Sequence, residues 1–355
     1  MKKVKLGQLV SIQTGKLDAN EAVPRGKYPF FTTAKEISCI NEYAYDDEVV
    51  LVAGNGDLNV KYYKGKFNAY QRTYILTSNS NVRMKYLYYF LDKYIEVLRY
   101  QSIGGVIKYI KLNNLSDAQI PMRSTIEQDK IIRILEKLDN EIIIRNKQLS
   151  ELSNLVKSRF NEMFGDPVLN EMGWEKHALK EFGVWKSGGT PKKNEEKYFR
   201  GHIPWITSGE LEHKYIDDSF EKITEKAIEC SSAKIIEKGS LLLGMYDTAG
   251  LKSSINTKVM SCNQAIAFAK LDDKITNTIY VYYVIQNLRS MLLNQQRGVR
   301  QKNFNLSMIK NISIPLPPLS LQNEFADFVA QVDKSQFACQ MAIKLWRNSL
   351  KSSII

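Results

Sequence analysis

The sequence lacks the features of membrane, secreted and zinc-binding proteins. It contains no run of eighteen apolar residues, so we expect no membrane-spanning helix. The first residues, MKKVKLGQLV, carry lysines but not the apolar core of a signal peptide, so a cytoplasmic location is expected. The four cysteines, Cys39, Cys230, Cys262 and Cys339, are too scattered for a disulfide framework or a thiolate zinc site.

The motifs of common catalytic sites are also missing. There is no GxxxxGK(S/T) phosphate-binding loop and no Asn/Asp-Pro-Pro-Tyr/Phe motif of amino-methyltransferases. His177, His202 and His213 do not have the spacing of metal ligands. The acidic pair Asp217 and Asp218 suits a solvated turn better than a nuclease site. We therefore expect a non-catalytic chain with no metal and no cofactor of its own.

Positive charge, in contrast, is in excess. The 355 residues include 50 lysines and arginines against 38 acidic residues, a net charge of +12. A basic protein of this size usually has a polyanionic partner, most often nucleic acid. The alternative is that the extra lysines only solvate the surface. The length is sufficient for two domains with connectors.

A long amphipathic helix is predicted in the middle of the chain, at roughly 126–164. Its apolar residues recur at alternating spacings of three and four, a heptad pattern that Arg145 and Arg159 interrupt. Thr125 is the predicted N-cap, with Gln128 in capping-box spacing, and Gly165 is the expected stop. A second such helix, at roughly 319–353, supplies the partner that the apolar stripe needs. The predicted contact residues of the two helices are Ile131, Leu135, Leu138, Leu149, Leu152, Phe325, Val329, Val332, Ile343 and Trp346.

The strongest signal is an internal repeat. Residues 84–139 align without a gap to residues 278–333, at a constant shift of 194 and with twelve identities in 56 positions. Upstream, YPFFTT resembles IPWITS, VVLV resembles SLLL, LVSIQTGK resembles FGVWKSGG, and Tyr70-Gln71 aligns with Asn263-Gln264, but the shift varies. A period this long excludes a solenoid and indicates a duplicated module of globular domain plus helix.

Within the first module the pattern predicts strands before a helix. The runs YPFFTT, EVVLVA and RTYIL are typical of strands, and Gly54-Asn55-Gly56 is typical of a hairpin turn. Residues 84–100 read as an amphipathic helix, residues 102–105 as a loop and residues 106–110 as a short strand. The tyrosine pairs at 88–89 and 282–283 are expected in the core. Residues 172–314 repeat this order with insertions.

Both globular modules carry cations beside tyrosines and amides. Cations hold phosphates, and arginine and amide side chains also read base edges. Glycines in the neighbouring loops would let the backbone approach DNA closely. The alternative for each residue is a solvated surface position. The predicted DNA-binding residues are Lys61, Lys64, Arg72, Gly104, Lys108, Lys111, Lys192, Lys193, Lys252, Arg297, Arg300 and Lys302.

The two connectors that lead into the long helices resemble those of a known family. IPLPPLSLQNEFADFVAQVDK, at 314–334, and its weaker copy IPMRSTIEQDKIIRILEKLDNEI, at 120–142, match an I-P-x-P-P-L-x-x-Q pattern followed by a helix. The W-x-x-x-x-L stretch at 174–179, IPWITSGEL and Asn263-Gln264 match as well. The chain thus resembles the DNA-specificity (S) subunit, HsdS, of type I restriction–modification systems. The first connector departs from the pattern, because Arg123-Ser124 replaces the two prolines.

The resemblance implies an α+β fold with a pseudo-two-fold internal repeat. Two mixed α/β target-recognition domains, 1–121 and 166–316, would be separated by two long antiparallel coiled-coil helices, 122–165 and 317–355. Each domain would read one half of a bipartite site in double-stranded DNA. The helices would set the spacing and dock two methyltransferase subunits, which bind S-adenosylmethionine. ATP and Mg would belong to restriction (motor-nuclease) subunits.

Two alternatives are set against this interpretation. One is a non-catalytic coiled-coil scaffold that binds DNA without sequence preference. The other is a specificity domain fused to a nuclease, for which 355 residues leave no room after two recognition modules and two long helices.

Overall fold

The computed structural model describes residues 2–246, 250–296 and 303–352. The chain forms two compact units, unit 1 (Met1–Gln148 and Cys339–Ile355) and unit 2 (Leu149–Ala338). The boundaries fall inside both long helices, so each unit holds part of each helix. The four segments predicted from the sequence follow chain order instead, and they stay a prediction.

The helices have the order and lengths expected of a duplicated module. They are α1 (Met84–Gln101), α2 (Leu112–Ser116), α3 (Thr125–Phe164), α4 (Glu225–Glu229), α5 (Thr278–Gln296), α6 (Leu306–Lys310) and α7 (Leu319–Ser352). The first residues of α1, α2 and α3 precede those of α5, α6 and α7 by the same 194 positions that separate the sequence repeats. The predicted repeat and both long helices are therefore confirmed. No helix among the described residues is long and apolar enough to cross a bilayer.

Unit 1 is built on a six-stranded sheet. The eight strands described in unit 1 are β1 (Lys3–Lys5), β2 (Val10–Thr14), β3 (Tyr28–Phe31), β4 (Ser38–Ile40), β5 (Tyr45–Ala53), β6 (Val60–Ala69), β7 (Thr73–Ser78) and β8 (Gln119–Pro121). The order in the large sheet is β2-β7-β5-β6-β3-β4, and β1 pairs with β8. Strands β5 and β6 form the predicted hairpin, and β3 runs parallel to β6.

Unit 2 repeats the central part of this sheet with shorter strands. They are β9 (Lys176–Ala178), β10 (Lys186–Ser187), β11 (Ile203–Ile206), β12 (Tyr215–Ile216), β13 (Glu221–Ile223), β14 (Leu241–Gly244), β15 (Ser253–Asn256), β16 (Ser261–Cys262), β17 (Ile266–Ala269) and β18 (Ser313–Pro315). The sheet orders are β10-β17-β14-β15-β12 and β13-β11-β16, with β9 paired to β18. The parallel pair β11–β16 corresponds to β3–β6 in unit 1.

The two long helices run antiparallel inside each unit. In unit 1 the Cys339 thiol lies 3.8 Å from the Gln148 amide oxygen, and the Arg145 guanidinium lies 5.8 Å from the ring centre of Trp346. In unit 2, Arg159 pairs with Glu324 at 2.8 Å. Later residues of α7 thus contact earlier residues of α3. The predicted antiparallel helix pair is confirmed.

A buried glutamine ties α3 of unit 1 to the globular fold. Gln128 is 1% exposed. Its amide oxygen accepts a hydrogen bond from the backbone N–H of Arg83, where α1 begins, at 2.9 Å. Its amide N–H donates to the carbonyl of Arg123, in the connector before α3, at 2.9 Å. One side chain therefore joins the starts of two helices and satisfies backbone groups that helix ends leave without partners.

Unit 2 contains the same arrangement. Gln322 is fully buried, and its amide oxygen accepts from the backbone N–H of Asn277 at 2.9 Å and from the hydroxyl of Thr276 at 2.9 Å. Its amide N–H donates to the carbonyl of Pro317 at 2.8 Å. The glutamine that ends the connector motif thus has the same structural role in both repeats.

The predicted N-cap of α3 is wrong by one residue. Ser124, and not Thr125, forms the capping box, and its partner is Glu127. The Glu127 carboxylate accepts from the Ser124 hydroxyl at 2.9 Å and from the Ser124 backbone N–H at 3.0 Å, and these two bonds hold the pKa of Glu127 below its usual value. Gln128 is not available for capping because its amide is engaged with α1.

The short strand predicted at residues 106–110 is also wrong. The backbone there forms a loop that is closed by two hydrogen bonds between Ile103 and Tyr109. The β-branched and aromatic residues of VIKYI are typical of a strand. The side chains of Val106 and Ile107 are exposed, however, so no core face selects an extended conformation.

We expect Gln322→Ala to destabilise unit 2 by about 1–3 kcal/mol, because buried backbone groups at two helix starts would lose their partners. Chemical denaturation followed by tryptophan fluorescence measures this, since Trp174, Trp185 and Trp205 all lie in unit 2. Gln331→Ala, at an exposed position of the same helix, is the matched control. Equal denaturation midpoints for the two variants would contradict the structural role assigned to Gln322.

Candidate nucleic-acid interface

Three segments of unit 1 meet beside the turn that follows β5. The Gly54 N–H donates to the carbonyl of Arg72 at 2.8 Å, and the Gly54 carbonyl accepts from the N–H of Ile110 at 2.9 Å. The Gly56 N–H donates to the carbonyl of Lys108 at 2.9 Å. The backbone of the turn therefore brings Arg72 and Lys108 to one edge of the unit, although they are far apart in sequence.

The loop after α1 is held closed at its base. Ile103 and Tyr109 exchange both backbone hydrogen bonds, at 3.0 and 2.9 Å. Gly104 has a φ of +115°, and a Cβ there would lie 2.6 Å from the carbonyl oxygen of Ile107. Only glycine tolerates this conformation and this approach. Gly104 therefore shapes the loop that presents Lys108.

The end of β2 adds a further segment to the same edge. The Gly15 N–H donates to the carbonyl of Thr73 at 3.2 Å, and a Cβ on Gly15 would lie 2.1 Å from the carbonyl oxygen of Ala69. The next residue, Lys16, is exposed. Lys16 was not among the predicted binding residues. The signal in the sequence was the resemblance of LVSIQTGK to FGVWKSGG, which aligns Gly15 with Gly188.

Unit 2 builds the same edge from its own residues. The Gly188 N–H donates to the carbonyl of Ile266 at 3.1 Å, as Gly15 does to Thr73, and its Cβ would lie 2.3 Å from the Cys262 carbonyl oxygen. The Phe304 N–H donates to the carbonyl of Met245 at 2.8 Å, as Ile110 does to Gly54. The alignments upstream of residue 84 are thereby supported by equivalent backbone contacts.

The predicted cations of unit 1 fall into two groups. Arg72, Lys108 and Lys111 are exposed in the segments that meet at the edge, and the ion pairs among the described residues do not include them. Lys61 instead donates to the Ala34 carbonyl at 2.7 Å, and burial lowers the pKa of its ammonium. Lys64 pairs with a carboxylate of strand β5 at 3.3 Å. Three of the predicted cations therefore lie together at the edge, and the other two contact other groups of the unit.

The predicted cations of unit 2 are spread more widely. Lys192 and Lys193 are exposed in the segment that follows Gly188 and Gly189. Lys252 is half-buried and lines a polar cavity of about 310 Å³ between strand β15 and α5. Arg297, Arg300 and Lys302 lie outside the described residues.

Most of the predicted helix-contact residues pack within the chain itself. Leu135, Phe325, Val329, Val332 and Ile343 are buried. Ile131, Leu138, Leu149, Leu152 and Trp346 are partly buried. The long helices also expose apolar side chains, which include Ile134, Ile143, Ile144, Phe337 and Leu345.

Metal-binding geometry is not found in the described part of the chain. Within residues 2–246, 250–296 and 303–352, no three His, Cys, Asp or Glu side chains are grouped so that they could hold an ion. The chemistry of the described edge is that of exposed cations, amides and close-packed glycine backbone, which suits phosphates and base edges.

Comparison with known proteins decides the family. The family model described as "Type I restriction modification DNA specificity domain" matches residues 1–154 and 171–344. The chain belongs to this family. The two matched regions are the two sequence repeats, each with its long helix, so the resemblance seen in the connectors is confirmed.

Individual relatives match the chain to different extents. The EcoDI specificity subunit of Escherichia coli is 38% identical over 161 residues, which span 45% of this chain and 36% of that protein. The EcoR124I/EcoR124II specificity subunit of Escherichia coli is 26% identical over 293 residues, which span 76% of this chain and 68% of that protein. The chain thus spans about a third of the first of these relatives and two thirds of the second.

Solved structures show the same fold. The crystal structure of a type I restriction–modification S subunit from M. genitalium covers 99% of this chain and 95% of its own, with a TM-score of 0.69 at 16% identity. A chain from a structural study of type I restriction–modification complex assembly covers the same shares with a TM-score of 0.59 at 15% identity. The predicted α+β fold of two domains with long helices is confirmed.

We expect Gly104→Ala to open the loop after α1, because the new Cβ would meet the Ile107 carbonyl in a conformation that L-residues avoid. Hydrogen exchange at the amides of Ile103 and Tyr109 should accelerate while the global unfolding midpoint changes little. Gly105→Ala is the matched control, since a Cβ there meets nothing within 4 Å. If the amides of Ile103 and Tyr109 were equally protected from hydrogen exchange in both variants, the geometry assigned to Gly104 would be contradicted.

Proposed function

We propose that this chain is the DNA-specificity subunit of a type I restriction–modification complex and that each unit reads one half of a bipartite DNA site. The observation that carries the proposal is the duplicated edge. In each unit, a glycine at a strand end, the residues before a central strand and the segment that follows α1 or α5 converge through equivalent backbone hydrogen bonds. Membership of the specificity-domain family supports the same reading.

The chemistry of the edge in unit 1 fits recognition of DNA. Arg72, Lys108 and Lys111 provide exposed cations for phosphates, and Gln71 beside Arg72 provides an amide able to pair with a base edge. The alternative of a scaffold without sequence preference offers no reason for a repeated, glycine-dependent arrangement. Non-specific binding needs only cations and does not require a fixed geometry.

We further propose that the long helices dock the methyltransferase subunits and determine the gap between the half-sites. Restriction subunits would then join the same complex. Exposed isoleucines on α3, namely Ile134, Ile143 and Ile144, supply apolar surface for such a partner. The proposed role needs no catalytic group in this chain, because S-adenosylmethionine would bind to the methyltransferase and ATP to the restriction subunit.

Methylation of host DNA tests the recognition role. Co-expression with the methyltransferase subunit of the same system, followed by single-molecule sequencing, should reveal one split motif of two short blocks around a fixed gap. Methylation without a shared motif, or binding of the purified chain to any duplex with equal affinity, would favour the non-specific scaffold. An intact complex that leaves the DNA unmethylated would also contradict the proposal.

Docking is tested with a triple variant of α3. Ile134→Gln, Ile143→Gln and Ile144→Gln together should abolish co-purification with the methyltransferase, while DNA binding by the purified chain is retained. Glutamine is a good helix former, so α3 should persist. The matched control carries Ile37→Gln, Val184→Gln and Ile235→Gln, three exposed apolar residues outside the long helices. Co-purification of both variants would contradict docking through this surface.

A further inference from the structure

The loop of residues 103–109 carries exposed apolar side chains beside the cations of its edge. Val106 is fully exposed at 104% and Ile107 is 64% exposed. Tyr100, at the end of α1, is 92% exposed. Apolar side chains at the tip of a loop are costly to leave in water, and contiguous exposed apolar surface commonly marks a binding site.

This loop is rigid at its base and therefore presents its tip in a defined position. Ile103 and Tyr109 close it with two hydrogen bonds, and the Lys108 carbonyl and the Ile110 N–H fasten it to the glycine turn after β5. Gly104, at a φ of +115°, turns the chain so that the following residues project outward. A preorganised tip loses little conformational freedom on binding.

Cations lie on the same edge as the apolar tip. Lys108 follows Ile107 directly, Lys111 is the N-cap residue before α2, and Arg72 is joined to the loop through Gly54. An apolar tip flanked by cations fits DNA better than it fits a protein partner, because the cations hold the phosphates on either side while the apolar group enters between bases. The positive charge beside the apolar side chains therefore favours DNA as the partner that this loop contacts.

The repeat makes this feature specific to one unit. By the constant shift of 194, Val106 aligns with Arg300 and Ile107 aligns with Gln301. The loop of unit 1 therefore has an apolar pair where the sequence of unit 2 has a cation and an amide. Residues that differ at equivalent positions of the two modules are suited to distinguish the two half-sites.

We propose that Val106 and Ile107 form a wedge that enters the minor groove of the half-site read by unit 1 and partly unstacks one base step. The inference rests on the proposed DNA-recognition function. Specificity would then include the ease with which that step is deformed, because pyrimidine–purine steps unstack more readily than others. The Gly104 turn and the closed base of the loop would hold the wedge in register with the flanking cations.

The test uses the full-length chain and duplexes that contain the split motif found by methylation sequencing. A fluorescent aminopurine is placed in turn at each base step of both half-sites. In the wild-type complex, fluorescence should rise at one step of one half-site, as a base loses its stacking. Val106→Ser with Ile107→Ser should abolish that rise and weaken cognate binding at least about tenfold without changing the salt dependence.

Two matched variants complete the comparison. Ile37→Ser, at an exposed position of another loop in unit 1, should leave both affinity and fluorescence unchanged. Lys108→Gln should lower affinity and reduce the salt slope by about one, as expected of a phosphate contact. The wedge is supported if the double serine variant is the only one of the three that loses both the rise in fluorescence and affinity for cognate DNA.

Three results would overturn the wedge. One is a wild-type complex in which every labelled step stays stacked. Another is a serine variant that binds DNA normally but no longer assembles with the methyltransferase, which would assign the loop to a protein contact. The third is affinity that falls when uracil replaces thymine while stacking persists, which would assign the loop to reading a methyl group. If the wild-type chain has no preference for the split motif, the proposed recognition function itself fails.

Discussion

A buried amide holds each long helix to its globular domain. In both repeats the side chain of a glutamine bonds to the start of the preceding amphipathic helix and to the connector that leads into the long helix. A buried amide costs free energy unless its hydrogen bonds are made, so the two helix starts are specified together. The orientation of α1 relative to α3 fixes where α1 ends. Because the loop that carries Lys108 begins there, the position of that loop depends on this contact.

The surroundings of a second repeated residue show how the modules diverged. Asp139 and Asp333 occupy equivalent positions of α3 and α7. Asp139 accepts from the Tyr89 hydroxyl at 2.8 Å. Asp333 accepts instead from the Lys214 ammonium at 2.5 Å and from the Tyr215 hydroxyl at 3.1 Å, groups that an insertion of unit 2 provides. The scaffold of helices is therefore shared, while the segments packed against it differ. Such a division fits the proposed reading of a different half-site by each unit.

Glycine backbone packing is the other shared element. Gly15 and Gly188 lie so close to carbonyls of the neighbouring segment that no side chain fits. These contacts align the strand ends and bring exposed residues to the same edge without specifying which residues they are. The exposed cations and amides of this edge can then change while its backbone stays constant, as the different residue types at the aligned positions Val106 and Arg300 indicate.

The sequence by itself determined the α+β class, the duplication, both long helices and the family. Patterns that are local in the sequence predict these features, such as the heptads of α3 and the proline-rich connector before α7. The gap-free repeat predicts the duplication. The tertiary structure decided what individual side chains do. Gln128 looked like a capping residue and instead bonds to a backbone group 45 residues away. Lys61 looked like a phosphate ligand and donates to a carbonyl of a neighbouring loop. Residues 106–110 looked like a strand and form an exposed loop, because hydrogen-bond partners and burial depend on segments that are distant in sequence.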